Sequence, residues 1–378
     1  MKTWRKIVAI LFLLLLLAGF IVPLILPDQA YSKAEKRNLS AFPEFSLSRV
    51  ADGSFMSEVE DYAADQFPLR DLFMRAKVSI LKFLSIRESQ DVFFCKDGSL
   101  IEAFPDYDAE NLSETTASVS LFMDRHPEIP MYFLIAPTAV SVYPERLPAN
   151  AVTANENTYI HAFLAALPAN ARIIDVRDAF RAAKSSELYY RSDHHWTGAG
   201  AYTAYRSAAS AMGFEQKSFL PHTVCNSFIG SLAAKSGYSV SVPDSIELYL
   251  PETSDPNFLY SVYYISEQQR TISCYDTEKL SGDDPYQVFF GGNHMLIEIT
   301  STAGTGRNLL LFKDSYANAF IPFLIYEYDK ITVVDPRYYY DDIDALVQSG
   351  QFTEVLFLYN ASTLSEDTNL KTVLRNEQ

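Results

Sequence analysis

The stretch of sequence that decides the fold is LLLFKDSYANAFIPFLIY, residues 309–326. Its first four residues form a short, continuous apolar run, which is typical of a strand buried on both faces of a parallel sheet. Asp314 and Ser315 follow as turn residues, and the sequence from Ala317 onward is typical of a helix. The stretch therefore predicts a strand, a turn and a helix, with Ser315 in the turn at the edge of a sheet.

Similar short apolar runs occur elsewhere in the chain, at 131–136, 172–176, 331–334 and 355–359. Predicted helices alternate with these strands, at 113–125, 158–167, 197–212, 317–326 and 343–348. The alternation predicts an α/β fold with helices on the faces of a mainly parallel sheet. Residues 214–290 break the pattern, and their Tyr, Ser and β-branched residues predict a β-rich insertion.

A helical segment is predicted before the first of these strands, over residues 54–84. Leu72, Ala76, Ile80 and Phe83 recur there at helical spacing. The sequence Asp65-Gln66-Phe67-Pro68 interrupts the helix, because the residue before a proline avoids helical dihedral angles. Two short apolar runs around an Asp-Gly turn, 92–94 and 100–101, predict a hairpin.

The overall charge excludes one class of partner. The chain has 378 residues with 31 basic and 47 acidic side chains, and its net charge is −16. Because phosphate neutralisation needs a basic face, we expect no nucleic-acid partner. Its three cysteines are too few for a disulfide scaffold.

The N-terminus predicts a membrane anchor. Residues 7–26 carry no charged side chain, and twenty residues at about 1.5 Å each span the roughly 30 Å hydrocarbon core. Lys2, Arg5 and Lys6 precede the run, so the positive-inside rule places the rest of the chain outside the cytoplasm. A cleaved signal peptide is the alternative, although the run is longer than usual and lacks an obvious cleavage site. We therefore expect a single-pass signal anchor at 1–27, a linker at 28–50 and one extracytoplasmic α/β domain at 51–378.

The most unusual string is Ser192-Asp193-His194-His195-Trp196-Thr197, just before a predicted helix that Thr197 is suited to cap. Three interpretations remain open at this point. One histidine is a general base oriented by Asp193, or Asp193, His194 and His195 bind a metal, or the cluster is structural.

The turn at Ser315 supplies a candidate nucleophile, because a serine between a buried strand and a helix projects over the sheet edge beside free helix amides. Gly291-Gly292-Asn293 supplies an amide, from Asn293, that is able to donate to an oxyanion. Ligands of open α/β sheets bind beyond the carboxyl ends of the strands, where Tyr143 and Arg337 are also predicted.

These residues resemble the bacterial DHHW family, which is similar to the SGNH-hydrolase-like domains of alginate O-acetyltransferases. The resemblance rests on Asp193-His194-His195-Trp196 and runs from about residue 35 to the C-terminus. Supporting strings occur in the same order: Lys36-Arg37-Asn38-Leu39, Asp65-Gln66-Phe67-Pro68-Leu69-Arg70, Lys96-Asp97-Gly98, Tyr143-Pro144, Gly291-Gly292-Asn293 and Lys313-Asp314-Ser315-Tyr316.

The resemblance implies an SGNH-like, flavodoxin-like fold whose strand order is permuted, because the acid and base precede the serine. It implies that Asp193 is the acid, His195 the base and Ser315 the nucleophile, with Tyr316 among the candidate substrate residues. It further implies O-acetyl transfer or ester hydrolysis on a cell-surface polysaccharide, with a membrane-bound O-acyltransferase partner as acetyl donor. No cofactor or metal is expected.

One residue departs from the family pattern. Asp314 stands beside the predicted nucleophile, where the relatives have a small or hydroxyl residue. A carboxylate at this position repels a developing oxyanion unless it points away to cap the helix. The alternative function is therefore a catalytically inactive glycan-binding or assembly protein of the cell envelope that keeps the same fold.

Overall fold

The computed structural model describes residues 4–10, 12–13, 27–32, 37–253 and 255–376. The chain divides into two compact units, Met1–Gln90 with Ala233–Ser239, and Asp91–Leu232 with Val240–Gln378. Most of the predicted anchor, residues 7–26, lies outside the described residues. Within the described ranges, no helix is both long and apolar enough to cross a membrane.

The first unit is mainly helical. Its elements are β1 (Tyr31–Ser32), β2 (Arg37–Asn38), α1 (Leu47–Ala51), α2 (Ser54–Asp65), α3 (Arg70–Phe83) and β3 (Glu88–Ser89). The predicted break between two helices at residues 65–68 is confirmed. Asp65 ends α2, and its Oδ2 accepts hydrogen bonds from the Ser40 amide at 2.9 Å and the Ser40 hydroxyl at 3.0 Å. Residues 51–90, which the sequence assigned to the α/β domain, belong to this unit.

The second unit contains the predicted α/β pattern. Its strands are β4 (Val92–Phe94), β5 (Leu100–Glu102), β6 (Met131–Ala136), β7 (Arg172–Ile173), β8 (Phe219–Phe228), β9 (Asp244–Pro251), β10 (Tyr260–Tyr264), β11 (Gln269–Thr271), β12 (Leu296–Ser301), β13 (Asn308–Lys313), β14 (Lys330–Val334) and β15 (Glu354–Asn360). The helices from residue 91 onward are α4 (Ala109–Arg125), α5 (Ala139–Val142), α6 (Glu156–Ala166), α7 (Arg177–Ala183), α8 (Gly198–Met212), α9 (Ser231–Ser236), α10 (Ala317–Leu324), α11 (Ile343–Gly350), α12 (Ala361–Glu366) and α13 (Asn369–Arg375).

The main sheet has the strand order β11-β10-β12-β14-β13-β15-β6-β7. The five strands from β14 to β7 are parallel, and β12, β10 and β11 extend the sheet antiparallel to them. The parallel part has the flavodoxin-like order 2-1-3-4-5. Here the chain runs through positions 4 and 5 before positions 1, 2 and 3, so the acid and base come before the serine in the chain.

The predicted insertion, residues 214–290, does carry strands, but it is not separate from the sheet. Strands β8 and β9 pair with each other, whereas β10 and β11 join the main sheet. The strand predicted at 172–176 is shorter than expected, because Asp175 Oδ1 accepts the Arg177 amide at 3.0 Å and turns the chain into α7.

The core lies on the central strands and fixes the position of Ser315. Strand β13 is buried from Leu309 to Lys313, and the rings of Phe312 and Phe133 both stack on Phe357, with centroids 4.8 and 4.7 Å apart. Because β13 is flanked by β14 and β15, the residues that follow it lie at the carboxyl edge of the sheet, where open α/β folds bind ligands.

Candidate active site

Three side chains meet in a continuous hydrogen-bonded chain at the end of β13. His195 Nε2 lies 2.8 Å from Ser315 Oγ, and His195 Nδ1 lies 2.6 Å from Asp193 Oδ1. A carboxylate only accepts hydrogen bonds, so Nδ1 carries the ring proton and the lone pair of Nε2 faces the serine hydroxyl. This is the geometry of a nucleophile, a general base and an orienting acid.

The turn that carries Asp193 is fixed by its own backbone and by the start of α9. Asp193 Oδ1 also accepts the His195 amide at 2.9 Å, and Oδ2 accepts the Ser231 amide at 2.7 Å. Gly230 packs directly against this carboxylate: a Cβ there would lie 2.2 Å from the Asp193 Cβ. The carboxylate is therefore fully bonded and closely packed, so it has one orientation.

The His195 ring is held between two other rings. Its centroid is 3.9 Å from the His194 ring on one side and 3.9 Å from the Tyr286 ring on the other. His194 is fixed in turn, because its Nδ1 lies 2.7 Å from the Ser231 hydroxyl. These ring contacts help to bury the imidazole and restrain it from tilting away from Ser315.

Trp196 links the histidine turn to the serine turn. Its buried indole N–H donates to the Tyr316 carbonyl at 2.9 Å, and the Tyr316 hydroxyl donates back to the His194 carbonyl. The predicted cap is also present, since Thr197 Oγ1 accepts the Gly200 amide at 3.3 Å. These bonds hold two segments 120 residues apart in sequence at a fixed separation.

The surroundings of Asp193 and His195 shift the pKa of each side chain. Burial opposes the charge on Asp193, but attraction to His194 and His195 and the hydrogen bonds hold the pKa of Asp193 well below its usual value. Burial, reinforced by His194, lowers the pKa of His195 to about 4 against the opposing pull of Asp193. At neutral pH the site therefore has an ionised acid and a neutral base.

Asp314 is the residue that the sequence predicted to repel a developing oxyanion. Its carboxylate points away from Ser315. Its Oδ2 accepts the Asn360 amide at 2.7 Å and the Asn360 side-chain amide at 2.6 Å, and its Oδ1 accepts the Tyr316 amide at 2.9 Å. Burial raises the pKa of Asp314 to about 6. The carboxylate thus anchors the serine turn to the end of β15.

Asn293 is held against both sides of the serine turn. Its Oδ1 accepts from Lys313 Nζ at 2.8 Å and from Asn318 Nδ2 at 3.0 Å. Lys313 is fully buried and also pairs with Asp335 at 3.0 Å. Because the oxygen accepts two hydrogen bonds, the orientation of the Asn293 amide is fixed, and Nδ2 is the group that is left to donate. Among the described residues, neither this Nδ2 nor the backbone amide of Ser315 has an acceptor.

The other predicted site residues have structural partners. Tyr143 is buried, and its hydroxyl donates to the Ser186 carbonyl at 2.9 Å and accepts the Leu188 amide at 3.0 Å, so neither partner belongs to the site. The Arg337 guanidinium donates two hydrogen bonds to Asp335, of 2.8 and 2.6 Å. Its positive charge acts to lower the pKa of both His195 and Asp314. Tyr316 is buried and connects the two turns.

The ligand atoms of Asp193, His194 and His195 lie within 4.8 Å of one another, as a metal site would require. However, both ring nitrogens of His195 face protein partners, and Nδ1 of His194 faces Ser231. The hydrogen bonds fit proton transfer to and from Ser315 better than coordination.

Sequence reasoning missed several residues that complete the site. They are Gly230, Ser231, Tyr286, Lys313 and Asn318. Four of them carry no local signal, because a glycine, a serine, an asparagine or one of 24 tyrosines is unremarkable in sequence. Only Lys313 had a signal, as a charge at the end of an apolar strand.

Comparisons with known proteins agree on the family and the fold. The sequence profile described as DHHW protein matches residues 35–108 and 111–334. A DHHW family protein from Eubacterium siraeum has 22% sequence identity and a TM-score of 0.66, covering 76% of this chain and 96% of that one. Bacillus cereus PatB1, solved with a sulfonyl adduct, has 18% identity and a TM-score of 0.63, covering 75% and 98%.

The O-acetyltransferase domain of Pseudomonas putida AlgJ has 16% identity and a TM-score of 0.45, covering 76% of this chain and 99% of that domain. Comparison with the curated proteins gives no match. The likenesses to the Eubacterium protein and to PatB1 establish a shared α/β fold with a mainly parallel sheet.

Proposed function

Since the chain belongs to the DHHW protein family, we propose that it is a membrane-anchored, extracytoplasmic O-acetyltransferase or acetylesterase that acts on a cell-surface polysaccharide. Ser315 is the nucleophile in this proposal, His195 the general base and Asp193 the acid that orients it. The apolar run at residues 7–26, with its basic flank, supports the anchor and the side of the membrane.

One observation carries the proposal: Ser315 Oγ lies 2.8 Å from His195 Nε2, while Asp193 holds the opposite ring nitrogen at 2.6 Å. Productive pairs of nucleophile and base lie within about 2.6–3.2 Å. The inactive alternative predicted from Asp314 loses its main support, because that carboxylate is bonded to Asn360 and Tyr316 instead of facing the serine hydroxyl.

The reaction follows from these contacts. His195 Nε2 takes the Ser315 proton as Oγ bonds to the acetyl carbonyl carbon of an ester. The tetrahedral intermediate collapses, the ester oxygen leaves with the proton from His195, and an acetyl-serine remains. A sugar hydroxyl or water then attacks that acetyl group, its proton passes to His195, and Ser315 regains a proton when it leaves. The ionised Asp193 stabilises the imidazolium that forms in each step.

The backbone amide of Ser315 and the Nδ2 of Asn293 are the donors that we assign to the oxyanion. Both lack an acceptor within the described part of the chain. One such donor contributes about 3–4 kcal/mol to the stabilisation of a transition state. Lys313 and Asn318 support this assignment, since they fix the amide of Asn293.

The substrate class comes from the family resemblance. It implies a cell-surface polysaccharide as acceptor and a membrane-bound O-acyltransferase partner that delivers the acetyl group. An anchored domain suits this arrangement, because the anchor keeps the site within reach of a membrane-bound donor.

Hydrolysis of p-nitrophenyl acetate by the full chain in detergent tests the proposal. We expect Ser315→Ala to lower kcat/KM by about 10³-fold or more, because it removes the nucleophile. Ser349→Ala, at an exposed serine whose hydroxyl donates to the Leu346 carbonyl, should leave the rate unchanged. Equal rates for the parent and Ser315→Ala would show that Ser315 is not the nucleophile.

A sulfonyl fluoride provides a second readout that does not depend on the acceptor. An activated serine displaces fluoride from sulfur and gains a sulfonyl group, and PatB1 was solved with a sulfonyl adduct. We expect one adduct on Ser315 by mass spectrometry, and none in Ser315→Ala. A parent chain that neither releases acetate nor takes the adduct, yet retains polysaccharide, would support the inactive glycan-binding alternative.

A further inference from the structure

The helix α3 (Arg70–Phe83) has an apolar face that is exposed. The large apolar side chains on this face are Leu69 (69% exposed), Leu72 (60%), Phe73 (48%), Ile80 (59%), Phe83 (87%) and Leu84 (59%). At about 100° per residue, these positions and Ala76 fall within about 120° of the helix circumference. We call this set of side chains the α3 stripe.

The α3 stripe is not the face with which the helix packs in its own unit. Met74, Val78 and Leu81 are the less exposed apolar positions, and Met74 and Val78 lie beside Gly237. The sequence predicted one apolar face from Leu72, Ala76, Ile80 and Phe83, and the structure leaves that face exposed. A helix with a second apolar face in solvent is prone to aggregate unless something covers that face.

Basic residues border the α3 stripe. Residues 70–87 contain five basic side chains and one acidic side chain, for a charge of +4 in a chain whose total is −16. On a helical projection, Arg70 and Lys77 lie along one edge of the stripe and Arg75 along the other. An apolar face bordered by Lys and Arg is the pattern of a helix that lies in the plane of a bilayer surface.

We propose that the α3 stripe lies in the surface of an anionic phospholipid bilayer, with α3 parallel to the membrane plane. The inference rests on the proposed membrane anchoring, because residues 7–26 would bring the first unit to that surface. Each Lys or Arg near such a surface contributes a favourable interaction with anionic lipid, while the stripe replaces contact with water by contact with acyl chains.

Charge favours the bilayer over a second copy of the chain as the occupant. Two copies that met through this face would bring the basic borders of both helices together, and like charges across an interface oppose association. An anionic surface complements the same charges. A position close to the membrane would also hold the first unit at a defined height.

Fluorescence quenching by lipids tests the proposal in the full chain. The protein is reconstituted into vesicles of phosphatidylglycerol and phosphatidylcholine, with an NBD label on Ile80→Cys. Cys95, Cys225 and Cys274 are buried, so the introduced thiol is the accessible one. The matched control is Ile272→Cys, at an exposed apolar residue of the second unit (83% exposed).

We expect lipids with a doxyl group on a shallow acyl carbon to quench the label at position 80 several-fold more than the label at position 272. Replacing Arg75 and Lys77 together by Glu should lower quenching at position 80 and leave position 272 unchanged. Equal quenching at both positions would overturn the proposal, as would crosslinking of two copies through position 80 without quenching by lipid.

The outcomes separate this inference from the proposed function. A chain that floats with the vesicles but is unquenched at position 80 refutes the α3 stripe and leaves the anchor intact. A chain that fails to float refutes both the anchor and the stripe. Release of acetate from p-nitrophenyl acetate by Ile80→Cys reports on Ser315 alone, and we expect it to equal that of the parent.

Discussion

The turns at Asp193 and Asp314 are built alike and differ in what their carboxylates hold. In each turn a buried aspartate accepts the backbone amide of the second residue after it, His195 or Tyr316, at 2.9 Å. Each carboxylate also reaches a distant amide, of Ser231 at 2.7 Å or of Asn360 at 2.7 Å. The remaining contact differs: Asp193 meets an imidazole, and Asp314 meets a neutral side-chain amide.

That one contact separates an acid of the proposed triad from a structural anchor. Asp193 has two histidine rings nearby, so its ionised form is stabilised despite burial. Burial dominates at Asp314, although Arg337 and Lys313 lie near, and it raises the pKa of this carboxyl to about 6. Equal burial and equal backbone bonds therefore do not give equal roles, because the role depends on whether the carboxylate reaches a group that moves a proton.

Replacing each aspartate by asparagine should change kcat very differently in the two turns, and this is the largest expected effect. In Asp193→Asn, an amide N–H that faces His195 Nδ1 forces the other tautomer, so Nε2 presents a proton to Ser315 instead of a lone pair. We expect kcat for p-nitrophenyl acetate to fall by about 10⁴-fold.

Asp314→Asn is the matched control, because it makes the same change at a carboxylate of equal burial. It loses one hydrogen bond, to the Tyr316 amide, and we expect a loss of about tenfold or less in kcat, with about 1 kcal/mol in the free energy of unfolding. Comparable losses of kcat in the two variants would mean that Asp193 acts on the fold and not through His195.

The sequence predicted the strands that support the Ser315 turn, because a local run of residues marks each strand. A strand at 309–312 is found as β13 (Asn308–Lys313), and a strand at 331–334 is found as β14 (Lys330–Val334). Both are short, mainly apolar runs, which are typical of a strand buried on two faces of a parallel sheet. The attachment of β10 and β11 to the main sheet was not predicted, since strand pairing depends on partners far away in sequence.

The residues of the site were predictable where a local pattern or a family motif marked them. Ser315 followed from its position between a strand and a helix, and the choice of His195 over His194 came from the family resemblance. Tyr286, which stacks on His195, and Gly230, which packs on Asp193, come from parts of the chain with no motif. Such contacts depend on which distant segments the fold brings together, and no spacing of residues in the sequence indicates them.

Gly230→Ala changes the packing of the Asp193 turn and does not touch the Asp314 turn. A Cβ at this position would lie 2.6 Å from the Asp193 Cα and 2.2 Å from its Cβ, so the turn must shift. We expect a loss of about 1–3 kcal/mol in the free energy of unfolding, by overpacking, together with lower kcat. Urea unfolding and p-nitrophenyl acetate assays measure the two effects.

The control for this change is Gly282→Ala, where the nearest atom to the new Cβ is the Lys279 carbonyl oxygen at 3.2 Å. That variant should keep both the stability and the kcat of the parent to a much greater degree. If both alanine variants behave alike, close packing against Asp193 is not what positions the carboxylate.

Trp196→Phe tests the bond that joins the two turns, with a smaller expected effect. The variant keeps a ring in the core but removes the N–H that donates to the Tyr316 carbonyl at 2.9 Å. We expect the free energy of unfolding to fall by about 1 kcal/mol from the lost hydrogen bond, measured by urea unfolding. Trp4→Phe, at a tryptophan that is 70% exposed, should have no such effect.

The smallest expected change in the parent itself concerns pH, because the two turns should act in opposite directions. Burial lowers the pKa of His195 from its usual 6.5 to about 4, so the unfolded chain binds more protons between these values. Stability from this group therefore increases as pH rises from 4 to 6.5. Burial raises the pKa of Asp314 from its usual 3.8 to about 6, so here the folded chain binds more protons. Its contribution is present below pH 3.8 and is lost as pH rises through 6.

Because the two contributions oppose each other between pH 4 and 6, the stability of the parent should change little in that range on their account. Asp314→Asn removes the contribution that falls with pH, so its free energy of unfolding should rise more steeply from pH 4 to 6 than that of the parent. His195→Gln removes the other and should give a shallower or inverted slope. Urea unfolding at pH 4, 5 and 6 measures all three slopes, and parallel curves would mean that neither turn is linked to protons in this range.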